Sequence, residues 1–167
     1  MANAVHPRSR PRTGSAEVRT LWSRFESGRS TGHFYVSLLG LHTFDTAKLL
    51  ERVTEGLSFH SWERFLRATE IPKELAQSVI QIPPRTLTRR KAEGRLHTDE
   101  SDRLIRAARI FARALILFEG DAEAARTWLL SPQAALGGTS PFEYASTEVG
   151  SREVEALIGR LEHGIPS

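Results

Sequence analysis

Apolar residues recur at intervals of three and four from Leu21 onward, and no stretch alternates with period two over the length of a strand. This spacing is typical of amphipathic helices, so the pattern predicts an all-α fold. Residues 1–20 differ, because they contain prolines and four arginines but few large apolar residues. That composition predicts a disordered basic arm.

Capping and helix-breaking residues divide the helical pattern into short elements. Helices are predicted over residues 21–26, 34–39 and 43–55. The third of these places Phe44, Ala47, Leu50 (or Leu49) and Val53 on one face. Further helices are predicted after Ser58 as N-cap, over 73–80, over 85–93, over 99–118 with Thr98 as N-cap, and over 121–130.

Proline and glycine junctions punctuate the remainder of the chain. Ser131-Pro132 and Ser140-Pro141 each open a short turn of helix, and Gly137-Gly138 separates the two turns. Gly150-Ser151 leads into a last helix that ends near His163. This spacing predicts a small, compact C-terminal unit of short helices.

The segment 73–93 has the plan of a helix-turn-helix, with a tight break at Gln81-Ile82-Pro83-Pro84 between two short helices. At 100° per residue Leu87 points inward, and the opposite face carries Arg85, Thr88, Arg89 and Ala92. An outward Arg can bond guanine through two acceptors, and Thr can reach base edges or phosphate. The pattern therefore predicts contact with DNA.

Neighbouring residues extend the predicted DNA-binding set. Arg90 and Lys91 flank Leu87 and are expected to contact phosphate, as is Arg95 beyond Gly94, and Thr86 belongs to the same set. The alternative for Arg90 is an ion pair with Glu100 or Asp102 that locks the motif to the following helix.

Basic side chains form a stripe on the predicted helix 99–118, at Arg103, Arg106, Arg109 and Arg113. This stripe is expected to be mainly structural, because Asp99 and Asp102 lie four residues before the first two arginines.

The formal net charge of +3 hides an uneven distribution. Residues 1–20 carry +3, residues 21–84 are neutral, residues 85–113 carry +5, and residues 118–167 carry −5. Opposite charge in adjacent blocks suggests two different partners. Mutual attraction of the two halves of the chain is the alternative explanation.

Catalysis is not expected. The chain has no Cys, its six His are not paired at metal-ligand spacing, and Gly28–Gly32 lacks the strand and lysine of a P-loop. The longest apolar run, residues 114–118, is too short to span a membrane. We therefore expect a cytoplasmic protein that is not an enzyme and that needs no cofactor or metal.

An ordered series of motifs resembles the Xre/MbcA/ParS antitoxins over roughly residues 38–165. The resemblance rests on the following stretches: Ile82–Lys91, Glu100–Leu104, Ala125–Leu129, Leu136–Pro141, and Thr147–Gly150 with Val154, Leu157, Gly164 and Ile165. It implies a bacterial antitoxin with an Xre-like DNA-binding part and a C-terminal toxin-binding domain. It also implies a RES-domain toxin that degrades NAD as partner, and a homodimer that binds operator DNA and represses its own operon.

Carried over by position, the resemblance implies a toxin-binding set near the C-terminus, with the chain end at or near the toxin's active-site cleft. The implied residues are Leu136, Gly137, Gly138, Pro141, Glu148, Val149, Gly150, Val154, Leu157, Ile158, Leu161, Gly164 and Ile165. The apolar stripe of the last helix is usually core, so part of this set is open to either interpretation.

The expected organisation has three parts: a flexible arm with weak helices over 1–37, a helix-turn-helix region over 38–118, and a toxin-binding domain over 119–167. Two alternatives remain open on the sequence. One is a transcription regulator without a toxin partner, and the other is an adaptor whose helix-turn-helix is too degenerate to bind DNA.

Overall fold

The computed structural model describes residues 14–27, 33–42 and 45–164, and these residues form an all-α fold. The helices are α1 Ala16–Glu26, α2 Phe34–Leu38, α3 Thr46–Glu55, α4 Phe59–Thr69, α5 Lys73–Val79, α6 Pro84–Glu93, α7 Thr98–Leu117, α8 Ala122–Leu130, α9 Pro141–Tyr144 and α10 Glu148–Glu162, with a 3₁₀ turn at Ala134–Leu136. The predicted fold class is confirmed.

The long helix α7 is the centre of the molecule. Helices α2, α3, α4, α8 and α10 all pack against it. Its side chains Leu104, Ile110, Phe111 and Leu115 are completely shielded from solvent. One helix therefore supplies core side chains to both ends of the chain, and the helices that flank it share a single hydrophobic core.

Side-chain caps explain several helix starts. Asp121 accepts a hydrogen bond from the N–H of Ala124, and Thr147 accepts one from the N–H of Gly150. The long helix α7 begins one residue earlier than predicted, because Glu100 accepts a hydrogen bond from the backbone N–H of His97 at 2.8 Å. His97, and not Thr98, is the N-cap.

The N-terminal part differs from the prediction. Residues 16–20 are helical and continue into the predicted segment 21–26 as one helix, α1. Val18 is completely buried, and the Ser15 hydroxyl donates to the Ala68 carbonyl at the end of α4. The disordered-arm prediction was therefore wrong for residues 14–20, since amphipathic spacing begins at Val18; residues 1–13 lie outside the described residues.

The face of α3 that packs inward is also shifted from the first choice made on the sequence. Leu49 is 8% exposed whereas Leu50 is 66% exposed, so the bracketed alternative was right. Ala47 is exposed and Val53 half-buried, and the predicted Phe44 lies outside the described residues.

Candidate functional site

Helices α5 and α6 form the helix-turn-helix. Pro84 occupies the first turn of α6, where its missing N–H costs nothing, and Gly94 ends the helix in the left-handed conformation at φ 76°. Leu87 is 5% exposed and anchors α6 to the core. Arg85, Thr88 and Arg89 are exposed on the outer face, as the predicted DNA-reading surface requires.

Two of these outward side chains, Thr88 and Arg89, make contacts within α6. The Thr88 hydroxyl donates to the Pro84 carbonyl at 3.1 Å, and Arg89 lies 3.6 Å from Glu93 in an exposed ion pair. Such exposed pairs are weak, so the Arg89 guanidinium can exchange this contact for a nucleic-acid acceptor.

Arg90 has a different role from the phosphate contact predicted for it. Its guanidinium is 5% exposed, and its Nε donates to both carboxylate oxygens of Glu100, at 2.8 and 3.1 Å. Its Nη1 donates to Glu93 at 3.0 Å, and its Nη2 lies 2.9 Å from Nδ1 of His97. The predicted ion pair with Glu100 is therefore the one the structure shows, because the Arg90 guanidinium is buried and its three nitrogens already have partners in the protein.

This ion pair also shifts the pKa values of both partners. Hydrogen bonding to Glu100 raises the pKa of Arg90 further above its ordinary value and outweighs the opposing effect of burial. Burial by itself would raise the pKa of Glu100, but hydrogen bonds from Arg90 and from the His97 N–H lower it. Both groups are charged in the folded protein at neutral pH.

The remaining predicted DNA contacts lie at the edges of the motif. Lys91 and Arg95 are exposed, and Thr86 is half-buried. Lys91 Nζ is 3.8 Å from Glu63, and an Arg95 nitrogen is 3.3 Å from the Glu55 carbonyl. Both cations lie on the same surface region as α6 and can move to a phosphate at small cost.

The arginine stripe on α7 is structural, as predicted. Arg103 bonds Asp99 at 2.9 Å and Arg106 bonds Asp102 at 3.1 Å, each four residues apart. The structure adds a second set of partners on α10: the pairs are Arg106 with Glu148 at 3.2 Å, Arg109 with Glu155 at 2.6 Å, and Arg113 with Glu162 at 3.3 Å.

These cross-helix pairs change the interpretation of the charge blocks. Three of the nine basic residues of the block 85–113 and three acids of the C-terminal block neutralise each other within the molecule. Hydrogen bonding to Arg152, together with the charges of Arg109 and Arg106, lowers the pKa of Glu148 against the opposing effect of burial. Mutual attraction of the two halves therefore accounts for much of the charge pattern, and α6 keeps the outward-facing arginines.

Several residues of the predicted toxin-binding set are core residues of the fold itself. The buried members are Leu136, Pro141, Gly150, Val154, Leu157 and Ile158. They are shielded from solvent in this structure, so their direct contact with a partner stays an expectation from the resemblance. They shape the surface from below, while Ile165 lies outside the described residues.

The exposed members of the set lie directly after the 3₁₀ turn, on α10, and just beyond the end of α10: they are Gly137, Gly138, Glu148, Val149, Leu161 and Gly164. Val149 is 75% exposed, more than any other large apolar side chain among the described residues. Sequence reasoning missed Tyr144, which is 36% exposed at the end of α9, because a four-residue helix has no periodicity to read.

Gly150 lies inside α10 and not before it. A Cβ on Gly150 would be 1.8 Å from the Tyr144 carbonyl oxygen, so only glycine allows α9 to approach α10 this closely.

Within the described ranges no helix is long and apolar enough to cross a membrane. Over the same residues no cluster of His, Asp or Glu is placed to hold a metal ion.

Known proteins share both halves of this arrangement. Residues 48–109 match the antitoxin Xre-like helix-turn-helix domain, and residues 113–164 match the antitoxin Xre/MbcA/ParS C-terminal toxin-binding domain. A protein from Yersinia enterocolitica named antitoxin Xre is 36% identical over 163 residues, which are 97% of this chain and 97% of that protein. The chain belongs to the Xre antitoxin family.

Two further relatives carry the same name. The antitoxin Xre of Pseudomonas putida is 38% identical over 114 residues, 68% of this chain and 70% of that protein. The antitoxin Xre of Photorhabdus laumondii is 42% identical over 89 residues, 53% of this chain and 59% of that protein. This antitoxin thus combines a DNA-binding helix-turn-helix with a toxin-binding domain and, like its family, is a regulatory protein and not an enzyme.

Proposed function

We propose that this antitoxin binds and blocks a RES-domain toxin that degrades NAD, and that it represses its own operon by binding operator DNA. The observation that supports this best is the presence, in one packed molecule, of an outward-facing Arg and Thr surface on α6 and an exposed apolar surface on a toxin-binding domain. The RES-type identity of the toxin is inferred from the family resemblance of the sequence motifs.

In the DNA-binding role, Arg85 and Arg89 read base edges and Thr88 contacts a base or phosphate. Lys91 and Arg95 contact the backbone and set the register of α6 in the major groove. A homodimer would place two copies of α6 on the half-sites of a palindromic operator, one helical turn apart.

In the toxin-binding role, Tyr144 and Val149 form the apolar anchor of the interface, because tyrosine is enriched in interface centres and contact would remove the exposed Val149 side chain from water. Leu161 and Gly164 extend the surface toward the end of the chain. The acids of residues 118–167 that make no ion pair with α7, such as the exposed Glu143 and Glu153, would face a toxin cleft that binds the phosphates of a dinucleotide.

Co-expression of the antitoxin with the toxin encoded beside its gene tests the toxin-binding role. We expect Val149→Glu to lose pull-down of the toxin and protection of cells, while its melting temperature stays close to that of the wild type, since the side chain is exposed. The control is Ala47→Glu, on exposed α3 surface outside the toxin-binding domain. Full protection by Val149→Glu contradicts the proposed surface.

A gel shift with the DNA upstream of the operon tests the DNA-binding role. Arg89→Ala should weaken binding by about 1–3 kcal/mol if it reads a base, and Lys91→Ala should reduce the salt dependence of binding by about one unit of slope. Unchanged affinity and salt slope for Arg89→Ala would show that α6 does not read DNA through this face.

A further inference from the structure

A groove of roughly 500 Å³ opens beside the turn of the helix-turn-helix. Gln77 and Ser78 of α5 line one side, and Ile82, Pro83 and Pro84 line the other. We call this feature the turn groove. Its residues belong to the part of the chain that matches the DNA-binding domain, residues 48–109, and not to the part that matches the toxin-binding domain.

The turn groove contains a hydrogen-bond donor without an acceptor. The side-chain amide nitrogen of Gln77 is buried and has no partner among the described residues. Buried donors are nearly always paired, because an unpaired one loses its contact with water and gains nothing in return. A ligand that fills the groove would supply the missing acceptor once the Gln77 side chain turned toward it, because the amide nitrogen is shielded from solvent in the free protein.

The charge of the turn groove favours a protein over DNA as that ligand. Glu74 is the only ionisable side chain among the residues that line it. A phosphate backbone requires cations, and those of this motif lie on α6 at Arg85, Arg89 and Lys91. Two prolines, an isoleucine and an unpaired amide match the mixed apolar and polar character of a protein interface.

The turn groove is continuous with the toxin-binding domain. The Gln81 side-chain nitrogen donates to the Ser146 carbonyl at 3.4 Å, and Arg106 donates to the same carbonyl at 3.4 Å. Ser146 lies between Tyr144 and Val149, the exposed apolar residues of the proposed interface. A partner that covers these two residues is therefore adjacent to the turn of the helix-turn-helix.

We propose that the toxin surface that covers Tyr144 and Val149 continues into the turn groove, where an acceptor oxygen of the toxin bonds the Gln77 amide. The inference rests on the proposed function, because it assumes that the partner at Val149 is the toxin. It assigns part of the toxin footprint to the DNA-binding domain, directly before the first residue of α6.

Filling the groove tests the proposal. Ser78 is exposed and lines the groove, so Ser78→Tyr adds bulk there without changing charge. We expect the Kd of full-length antitoxin for the co-encoded toxin, measured by titration calorimetry, to rise at least about tenfold. The matched control, Ala47→Tyr, places the same side chain on exposed α3 and should leave the Kd unchanged. Equal or tighter binding by Ser78→Tyr overturns the proposal.

A second variant is expected to weaken toxin binding without lowering the stability of the free antitoxin. Gln77→Met keeps the shape of the side chain but removes the unpaired donor, so the melting temperature of the free antitoxin should stay equal or rise. Toxin binding should nevertheless weaken several-fold, because the acceptor on the toxin loses its partner. A Gln77→Met variant that binds the toxin as tightly as the wild type also overturns the proposal, even if Ser78→Tyr fails to fold.

Val149→Glu separates this inference from the proposed function. If Val149→Glu loses toxin binding and the two groove variants do not, the toxin interface is confined to the C-terminal domain and only the inference fails. If the wild-type antitoxin does not bind the toxin at all, the proposed function itself is refuted and the inference with it.

Discussion

Arg90 and Glu100 show how one buried ion pair fixes the orientation of the DNA-reading helix. The pair joins α6 to the first turn of α7, and Glu100 also accepts the His97 N–H that starts α7. The carboxylate thus holds a guanidinium and a helix N-terminus at once. Arg90 is thus placed to orient the helix that carries Arg85 and Arg89, whereas its own guanidinium is buried.

We predict that Glu100→Gln lowers the free energy of unfolding by about 3 kcal/mol at pH 7, because it removes the buried counter-ion of Arg90 and leaves only the more exposed Glu93. Urea unfolding followed by circular dichroism measures the loss. Asp102→Asn is the matched control, since the Asp102 carboxylate is 61% exposed and its pair with Arg106 should contribute less than about 1 kcal/mol.

The stability lost in Glu100→Gln should depend on pH. The pKa of Glu100 is lowered in the folded state, so its stabilisation is fully present above the unfolded value near 4.3 and is lost as the pH falls through the lower folded value. The gap between wild type and Glu100→Gln should therefore narrow below about pH 4. A gap that stays constant from pH 7 to pH 3 would show that the ionised carboxylate is not the source of the effect.

At the scale of elements, the joint between α9 and α10 depends on a helical glycine. Alanine normally stabilises a helix interior relative to glycine by about 1 kcal/mol. At Gly150 the added Cβ would meet the Tyr144 carbonyl oxygen at 1.8 Å, and the backbone of α9 would have to move.

We predict that Gly150→Ala lowers the free energy of unfolding by about 1–3 kcal/mol, the usual cost of overpacking. Gly159 lies on the same helix with nothing within 4 Å of an added Cβ, so Gly159→Ala should instead raise stability by up to about 1 kcal/mol. Chemical denaturation of both variants measures the difference. If the two substitutions change stability in the same direction, the close approach of α9 to α10 is not what requires glycine at 150.

The elements were largely predictable from the sequence, because caps and breakers act locally. Asp121 and Gly94 mark helix ends through contacts with their own neighbours, and the structure places them there. The choice between Leu49 and Leu50 was not fixed in this way, since both fit a 3.6-residue period and only packing against the neighbouring helices decides between them.

The site was less predictable for the same reason. Arg85 and Arg89 follow from helix geometry alone, whereas the burial of Arg90 depends on Glu100, ten residues away on another helix. Val154, Leu157 and Ile158 form an apolar stripe that fits either a core or an interface, and α7 is what covers it. The turn groove is lined by residues 74–84, which are close in sequence, but its shape depends on how α5 and α6 are oriented. Tyr144 lies on a four-residue helix, which has no periodicity to read.

At the scale of the whole molecule, α7 joins the two functional parts. The regions that match the DNA-binding and toxin-binding domains meet between residues 109 and 113, inside this continuous helix. Its first turn holds α6 through Glu100, and its second half carries the arginines that bond α10. The antitoxin is therefore expected to unfold as one cooperative unit.

We predict that Leu115→Ala destabilises both ends of the protein equally. Leu115 is completely buried in the second half of α7, and its truncation should cost about 2–5 kcal/mol. Native-state hydrogen exchange with mass spectrometry reads this loss separately in peptides from α4 and from α10. Equal losses in both peptides indicate one cooperative unit, because exchange of the slowest amides then reports the same global opening. A loss of stability confined to α10, with α4 unchanged, would mean that the toxin-binding domain opens independently of the helix-turn-helix. A toxin contact at Val149 could not then restrain α6 through α7.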